Sequence, residues 1–281
     1  MPIVLAAVCA VVYGVADYCG GRSARRAPSL FVSLVGQISS FVLAVIFVLA
    51  VGTAVPGWHD LLWGALAGAA SAVALASFYH ALSHGAMTVV APITAVTSAV
   101  IPVAFGLLRG ERPGALAYIG MVVAVAAVAL VSGAVGQRHI ATGRGTIVFA
   151  FLAGLGFAVI FIALGETRSA SGMWPLVSAR VVSVTVIASI CLATRTGVRG
   201  RGGAWRLAAF AGVLDMSANG IYLLAVRRGL LSIVVVVVAL YPVSTVCLAF
   251  GLDRERVSRS QAAGMVLALG ALVLVSLSGA A

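Results

Sequence analysis

Three polar side chains stand at helical spacing in one apolar stretch of the sequence. Asp215, Asn219 and Tyr222 are separated by four and three residues, which places them on one face of a helix. Inside a bilayer an ionisable group costs about 2.5–3.5 kcal/mol on insertion scales, so it is a candidate for function. Its chemistry is either recognition of a bound solute or carriage of a proton. The alternative is structural: Asp215 pairs with Arg180 and holds two helices together.

Two further ionisable residues lie inside apolar stretches. Arg180 either contacts an anionic group of a solute or anchors its helix at the interface, with its charge extended towards water. Asp17 lies one helical turn after Tyr13, and it either lines the mouth of a cavity or caps the interface beside Arg22. Both interpretations of each residue stay open at the level of sequence.

His80 and several neutral polar residues complete the candidate set. A histidine titrates near physiological pH, so His80 is a candidate for proton-linked chemistry, with a hydrogen-bonded interfacial histidine as the alternative. The neutral candidates for hydrogen bonds to a solute are Gln37, Thr94, Thr97, Ser98, Tyr241 and Thr245. The sequence contains no Gly-x-Ser-x-Gly elbow, His-Glu-x-x-His pair or P-loop. We therefore expect no catalytic site, no metal, no cofactor and no direct coupling to ATP.

Composition decides the environment of these side chains. Of the 281 residues, 62% are hydrophobic and 9% are charged, whereas a soluble domain carries about 25% charged residues. The chain is therefore predicted to be a polytopic integral membrane protein in contact with the lipid bilayer. Its net charge of +11 comes from arginines dispersed among short connections, which argues against a nucleic acid as partner. The four cysteines have neither disulfide nor metal-ligand spacing.

The elements that must position the candidate side chains are transmembrane α-helices. A helix needs about 20 apolar residues to cross the hydrocarbon layer, and the runs here are apolar on every side instead of alternating as barrel strands do. Short polar or Gly/Pro-containing turns divide the chain into ten such runs, so the predicted fold class is all-α. The runs span about 2–20, 29–51, 61–83, 86–108, 114–135, 145–166, 174–194, 204–226, 230–251 and 258–279.

The second half of the chain repeats the first at a shift of 144 residues. This shift aligns Gly68 with Gly212 and Glu111-Arg112 with Glu255-Arg256, without a gap from residue 67 to 132. The unit holds five spans, and because five is odd the second copy must lie upside-down relative to the first. Inverted repeats are typical of secondary transporters, which bind solute near the midplane between the halves. A channel or a purely structural protein is the alternative.

Prolines mark two of the spans. Pro92, Pro102 and Pro242 fall inside the fourth and ninth spans, where each removes a backbone donor and bends the helix. Those two spans are therefore expected to line a cavity. The Glu-Arg pairs that end them, Glu111-Arg112 and Glu255-Arg256, are interpreted as matching interfacial hinges.

Two segments resemble the signature of the EamA family of the drug/metabolite transporter superfamily. Phe78–Arg112 shows an aromatic-rich helix end, an Ala-Leu pair, a Gly, a Pro-containing span and a Gly-Glu-Arg end; Tyr222–Arg256 repeats the pattern with Asp-Arg in place of the last Gly. Arg180 matches the arginine with which the family's second span often opens. The resemblance implies a carrier of ten helices in two EamA-type five-helix repeats, residues 1–136 and 143–281. Members of that family move amino acids, other metabolites and xenobiotics.

The leading hypothesis is a secondary transporter that exports small metabolites by alternating access, as a multi-pass protein of a bacterial plasma membrane. Its partners are then a small-molecule solute and lipid, with homodimer formation left open. The rival hypotheses are a non-transporting membrane scaffold and a membrane-embedded enzyme. The orientation is also open. Twelve arginines follow odd-numbered spans and five follow even-numbered ones, which places both termini outside, whereas the resemblance implies cytoplasmic termini.

Overall fold

A computed structural model describes residues 1–84, 87–131, 143–195, 203–253 and 259–278, and within them all regular structure is helical. A single 3-10 turn, Ser169–Ser171, lies between the sixth and seventh helices. The α-helices are α1 (Pro2–Ala24), α2 (Ser29–Val51), α3 (Trp58–His84), α4 (Met87–Leu108), α5 (Ala115–Val131), α6 (Arg144–Gly165), α7 (Trp174–Ala193), α8 (Ala204–Val226), α9 (Leu231–Val238), α10 (Tyr241–Asp253) and α11 (Arg259–Ser278).

The helices agree with the expectation of an all-helical membrane protein. Among the described residues, α1, α2, α3, α6, α7 and α8 are each long and apolar enough to cross a membrane. Shorter apolar stretches occupy α4, α5, the α9–α10 region and α11. Valines on the outer face of α1 recur every three or four residues, at Val4, Val8 and Val11, and remain exposed. Such a stripe suits contact with lipid chains, while the number of ten spans stays a prediction.

The predicted ninth span differs from a continuous helix. It is divided into α9 and α10 by a turn at residues 239–240, directly before Pro242. Because Pro242 lacks a backbone N–H and its ring crowds the preceding turn, the helix cannot run through it undisturbed. Tighter bonds join the two pieces, from Leu240 N–H to Val237 O and from Val243 N–H to Leu240 O. In contrast, α4 continues as one helix past Pro92 and Pro102.

Helices of the two halves pack mainly against each other. The first-half helix α1 packs on α8 of the second half, and α3 packs on α6; these two pairings are related by the repeat. The contact of α2 with α8 corresponds in the same way to that of α7 with α3. The contact of α4 with α6 corresponds to that of α10 with α1. The last helix of each half, α5 and α11, form a pair of their own. The halves are therefore interleaved, and the core lies at contacts between residues far apart in sequence.

Two repeat-related glycines allow the closest of these approaches. Gly68 of α3 lies against the carbonyl oxygen of Ala179, and Gly212 of α8 lies against that of Gly36. A Cβ at either position would collide with the facing carbonyl oxygen. Small residues at helix crossings let backbones approach each other in membranes, where packing rather than hydrophobic burial drives association.

Candidate functional site

A narrow cavity lies at mid-length of the bundle, between helices of both halves. Its open volume is about 20 Å³, which is room for about one water molecule. Its walls come from α1, α4, α6, α8 and the start of α10, and consist of Tyr13, Asp17, Ser98, Phe157, Phe161, Asp215 and Tyr241. Five of these seven residues are candidates from sequence, and the structure brings them together; the two phenylalanines are not. Few polar groups converging among aromatic walls are typical of small-molecule sites.

Asp215 faces the cavity and also forms an ion pair. Its Oδ2 accepts a hydrogen bond from Arg180 NH2 at 2.7 Å, and the side chain of Asp215 keeps 18% of its surface exposed. The hydroxyl of Ser40 lies 3.5 Å from the same oxygen. Arg180 is buried in α7 rather than extended to the interface. The Asp215 carboxylate therefore both pairs with Arg180 and lines the cavity.

A hydrogen-bonded network surrounds the arginine. Arg180 NH1 donates to Gln37 Oε1 at 2.8 Å and lies 3.1 Å from the hydroxyl of Ser71. Gln37 Nε2 donates to Ser71 at 2.9 Å, and Ser183 donates to Gln37 Oε1. The Nε of Arg180 is buried without a hydrogen-bond partner among the described residues. Gln37 therefore holds the arginine in place and does not line the cavity.

The network joins repeat-related positions of the two halves. Ser71 aligns with Asp215 at the shift of 144 residues, and Gln37 stands near the position equivalent to Arg180. The first half therefore supplies a neutral pair and the second half a charged pair, which meet through the contact of Arg180 with Ser71. The repeat alignment of the sequence identifies both pairs of positions. It does not show that Arg180 and Ser71 are in contact.

The other two members of the predicted polar face turn towards neighbouring backbone. The Asn219 side-chain amide donates to the carbonyl oxygen of Asp215 in its own helix at 2.8 Å. The Tyr222 hydroxyl donates to the carbonyl oxygen of Phe161 at 2.7 Å. Both side chains are buried, and neither belongs to the cavity wall. The Tyr222 contact therefore joins α8 to α6, whereas the Asn219 contact stays within α8.

Asp17 differs from Asp215 in its surroundings. It lines the cavity half-buried, and among the described residues no hydrogen bond or ion pair reaches its carboxylate. Tyr13, one turn earlier in α1, packs edge-on against Phe161 with 6.3 Å between ring centroids. Tyr241, at the break between α9 and α10, is buried, and its hydroxyl has no hydrogen-bond partner in the described part of the chain.

The remaining predicted site residues either lie outside the cavity or form hydrogen bonds to backbone carbonyl groups. His80 lies near the end of α3, stacked on His84 and beside Phe149, outside the cavity wall. The hydroxyls of Thr94, Thr97 and Thr245 donate to carbonyl oxygens, and Thr94 thereby links α4 to Ala150 of α6. Ser98 reaches the cavity while its hydroxyl donates to Ala95 O.

The Gly-Glu-Arg segment after α4 has a defined local structure. Gly110, at φ +90°, ends the helix, and Glu111 N–H bonds back to Gly106 O. This left-handed turn is the helix ending that glycine favours. It directs the Glu111 carboxylate to the first two amides of α9, accepting from Leu231 N–H at 2.7 Å and Ser232 N–H at 2.9 Å.

The remaining predicted hinge residues take no part in that capping contact. Arg112 lies beside Pro2 and Gly229 at a shallow surface pocket. Glu255 and Arg256 lie outside the described residues. Of the three prolines, Pro242 stands at the break between α9 and α10, while Pro92 and Pro102 lie within α4. Their proposed role as hinges stays a prediction.

The same end of the bundle carries further polar contacts between connections. The Asp60 carboxylate accepts Arg168 N–H at 2.9 Å, and Trp174 Nε1 donates to Thr53 O at 2.9 Å. Arg227 NH1 donates to Gly172 O at 2.8 Å. Burial lowers the pKa of the Arg227 guanidinium, and the carboxylate of Asp60 opposes that shift.

Comparison with known families decides the classification. The profile of the EamA-like transporter family matches residues 1–133 and 144–277. The chain belongs to this family. The resemblance seen in the sequence is thereby confirmed, and the matched ranges assign an EamA unit to each half. The family is one of membrane transporters, so the chain is a multi-pass membrane protein of the transporter class.

Solved structures support the fold of this EamA protein. One, described only as the crystal structure of a protein, shares 16% sequence identity and superimposes with a TM-score of 0.77. The match covers 98% of this chain and 96% of the other, so the whole fold is shared. At that identity the likeness speaks for architecture alone. No curated protein matches the sequence.

Proposed function

We propose that this EamA protein is a secondary transporter that exports small organic metabolites by alternating access, with the central cavity as its solute site. The observation that carries the proposal is the cavity itself. It lies between the two family units, at the middle of the helices, and places two carboxylates among aromatic walls. Binding near the midplane between repeated halves is the arrangement expected of such carriers.

Interleaving of the halves supports alternating access. Each major contact within the bundle has a repeat-related counterpart, as in α1 on α8 and α6 on α3. If the ten predicted spans hold, the two units are inverted, and exchanging their conformations opens the cavity to the opposite side. The broken α9–α10 region and the first-half helix α4 both contribute to the cavity wall, through Tyr241 and Ser98.

The cellular setting follows from this role. We assign the protein to the plasma membrane of a bacterial cell, as a multi-pass carrier whose partners are a small-molecule solute and lipid. The seven described residues of the cavity wall come from one chain, so the proposal needs no second copy. A scaffold without transport activity would have no use for a cavity that holds an unpaired carboxylate.

A flux measurement with a cavity-filling variant tests the proposal. The purified protein is reconstituted in liposomes and supplied with a panel of labelled amino acids, amines and organic acids. We expect saturable flux of one or more solutes by wild type. Ser98→Phe places a ring in the cavity wall and should abolish that flux, because the solute and the ring compete for the same space.

The matched control is Ser217→Phe. Ser217 is half-buried on α8 with its hydroxyl at the surface, and it lies outside the cavity wall, so a ring there should leave flux unchanged. Thermal unfolding of both variants shows that each is folded. Absence of saturable flux across the whole panel, or equal flux in wild type and folded Ser98→Phe, contradicts the proposal.

A further inference from the structure

We propose that the cavity selects solutes that carry an ammonium group on an apolar or aromatic body, with Asp17 as the counter-ion. This inference rests on the proposed function, because it names the solute class of the same cavity, which has to widen during alternating access to admit a solute. Four observations carry it: a carboxylate and a buried hydroxyl that have no partner among the described residues, an arginine already paired with Asp215, and three further aromatic rings.

The carboxylate of Asp17 is the group with which the ammonium of the solute would pair. It lies in the cavity wall, and in the described ranges of the chain it has neither a hydrogen bond nor an ion pair. The other carboxylate of the cavity wall, Asp215, has its counter-ion in Arg180. Carboxylates taken out of water are normally paired or hydrogen-bonded. A solute cation would supply the pairing that the described residues do not provide here.

The balance of charge around the cavity also favours a cation. Arg180 is the base that pairs with a residue of the cavity wall, and its guanidinium is held by Asp215, Gln37 and Ser71 at distances of 2.7 to 3.1 Å. It therefore neutralises Asp215 and leaves Asp17 unbalanced. No basic side chain belongs to the cavity wall formed by the described residues. A carboxylate-bearing solute without an amine would meet repulsion from Asp17.

Tyr241 offers a second polar contact to such a solute. Its side chain is more than nine-tenths buried, it lines the cavity, and its hydroxyl lacks a hydrogen-bond partner within the described part of the chain. Buried hydroxyls are normally satisfied, so an open one in a cavity wall indicates a place for a ligand. A phenol oxygen accepts a hydrogen bond from an ammonium N–H while Asp17 accepts another.

Aromatic rings provide the remaining wall. Tyr13, Phe157 and Phe161 line the same space, and Tyr13 and Phe161 are in edge-to-face contact. The face of an aromatic ring attracts a cation, and its apolar surface accepts the hydrocarbon part of an amine. The combination distinguishes amines from neutral polar solutes such as sugars, which would need more hydrogen-bonding groups than this wall contains.

Binding of three probes that share a phenyl ring on a two-carbon skeleton tests the inference. Phenethylamine, 2-phenylethanol and phenylacetate differ in charge and share an aromatic ring. Isothermal titration of the purified full chain should show phenethylamine binding at least about tenfold more tightly than 2-phenylethanol, because a charged hydrogen bond is added. Phenylacetate should show the weakest binding of the three. Equal binding of the amine and the alcohol overturns the inference.

Variants assign the selectivity to Asp17. Asp17→Asn should weaken phenethylamine binding at least about tenfold and leave 2-phenylethanol unchanged, whereas Asp17→Glu keeps the charge and should retain amine binding. The matched control is Asp60→Asn, which removes a charge outside the cavity and keeps an oxygen to accept Arg168 N–H. Thermal unfolding shows that each variant is folded. Undiminished amine binding by a folded Asp17→Asn variant overturns the assignment.

Flux in liposomes separates this inference from the proposed function. Transport of amino-acid anions or neutral solutes with no binding of phenethylamine would overturn the ammonium site and leave the transporter in place. Amine binding that depends on Asp17, without flux of any solute, would support the site and overturn transport.

Discussion

At the scale of single residues, two carboxylates in one cavity have different surroundings. Asp215 is paired with Arg180, which Gln37 and Ser71 hold in turn. Asp17 has no such support in the described chain. The sequence interpretations of Asp215 as a functional residue and as a structural partner are therefore not exclusive, since the paired residue also lines the cavity.

The ion pair leads to a stability prediction. Asp215→Asn leaves the charge of Arg180 buried without a counter-ion, and we expect the free energy of unfolding to fall by about 3–5 kcal/mol. Adding Arg180→Gln removes the orphaned charge and leaves a neutral pair, as the first half has in Gln37 and Ser71, so it should recover most of the loss. Denaturant unfolding in micelles measures both. A double variant no more stable than the single one would show that charge burial is not the cause.

At the scale of elements, the end of α4 and the start of α9 depend on each other. Gly110 closes α4 in a left-handed turn, which places the Glu111 carboxylate on the free amides of α9. A negative charge at a helix N-terminus is stabilised by the unpaired amides and by the helix dipole. The Gly-Glu pair of the family signature therefore has a structural reason in the first half of the chain.

Removing this cap should loosen α9. Glu111→Gln lowers the negative charge at the helix start, and we expect a loss of about 1 kcal/mol in unfolding free energy. Hydrogen exchange at the amides of Leu231 and Ser232 should become faster. The control is Glu166→Gln, whose carboxylate pairs with the exposed Arg109 and should matter less. Unchanged exchange at both amides would contradict the capping role.

At the scale of the whole molecule, stability comes from crossings between the halves. Gly68 and Gly212 occupy repeat-related positions and meet carbonyl oxygens of α7 and α2 respectively. Because the local environments are alike, the two crossings should respond alike to the same change. This symmetry of packing contrasts with the asymmetry of the polar network, in which one half supplies the ion pair.

Alanine substitution at the crossings tests the interleaved packing. Gly68→Ala and Gly212→Ala should each lower the unfolding free energy by about 1–3 kcal/mol, because the new methyl forces the helices apart. Gly270→Ala in α11 is the control, since a Cβ there meets no atom within 4 Å. Thermal unfolding in detergent compares the three. A tolerated change at one crossing and a large loss at the other would contradict the proposed equivalence.

The sequence by itself determined the helices, the repeat and the family. An apolar run must satisfy its backbone within itself, so helix bounds such as Ser29–Val51 and Ala204–Val226 follow from local composition. The break before Pro242 was foreseeable as a bend, because proline acts on its own turn.

Only the tertiary structure decided which polar groups meet. Asn219 and Tyr222 share a helix face with Asp215 but bond to carbonyl oxygens, and the periodicity of one helix does not identify its neighbours. Phe157 and Phe161 carry the ordinary spacing of a packed helix face, which does not indicate a cavity. The pairing of Arg180 and the absence of a partner for Asp17 depend on crossings between remote helices, where small residues set the approach.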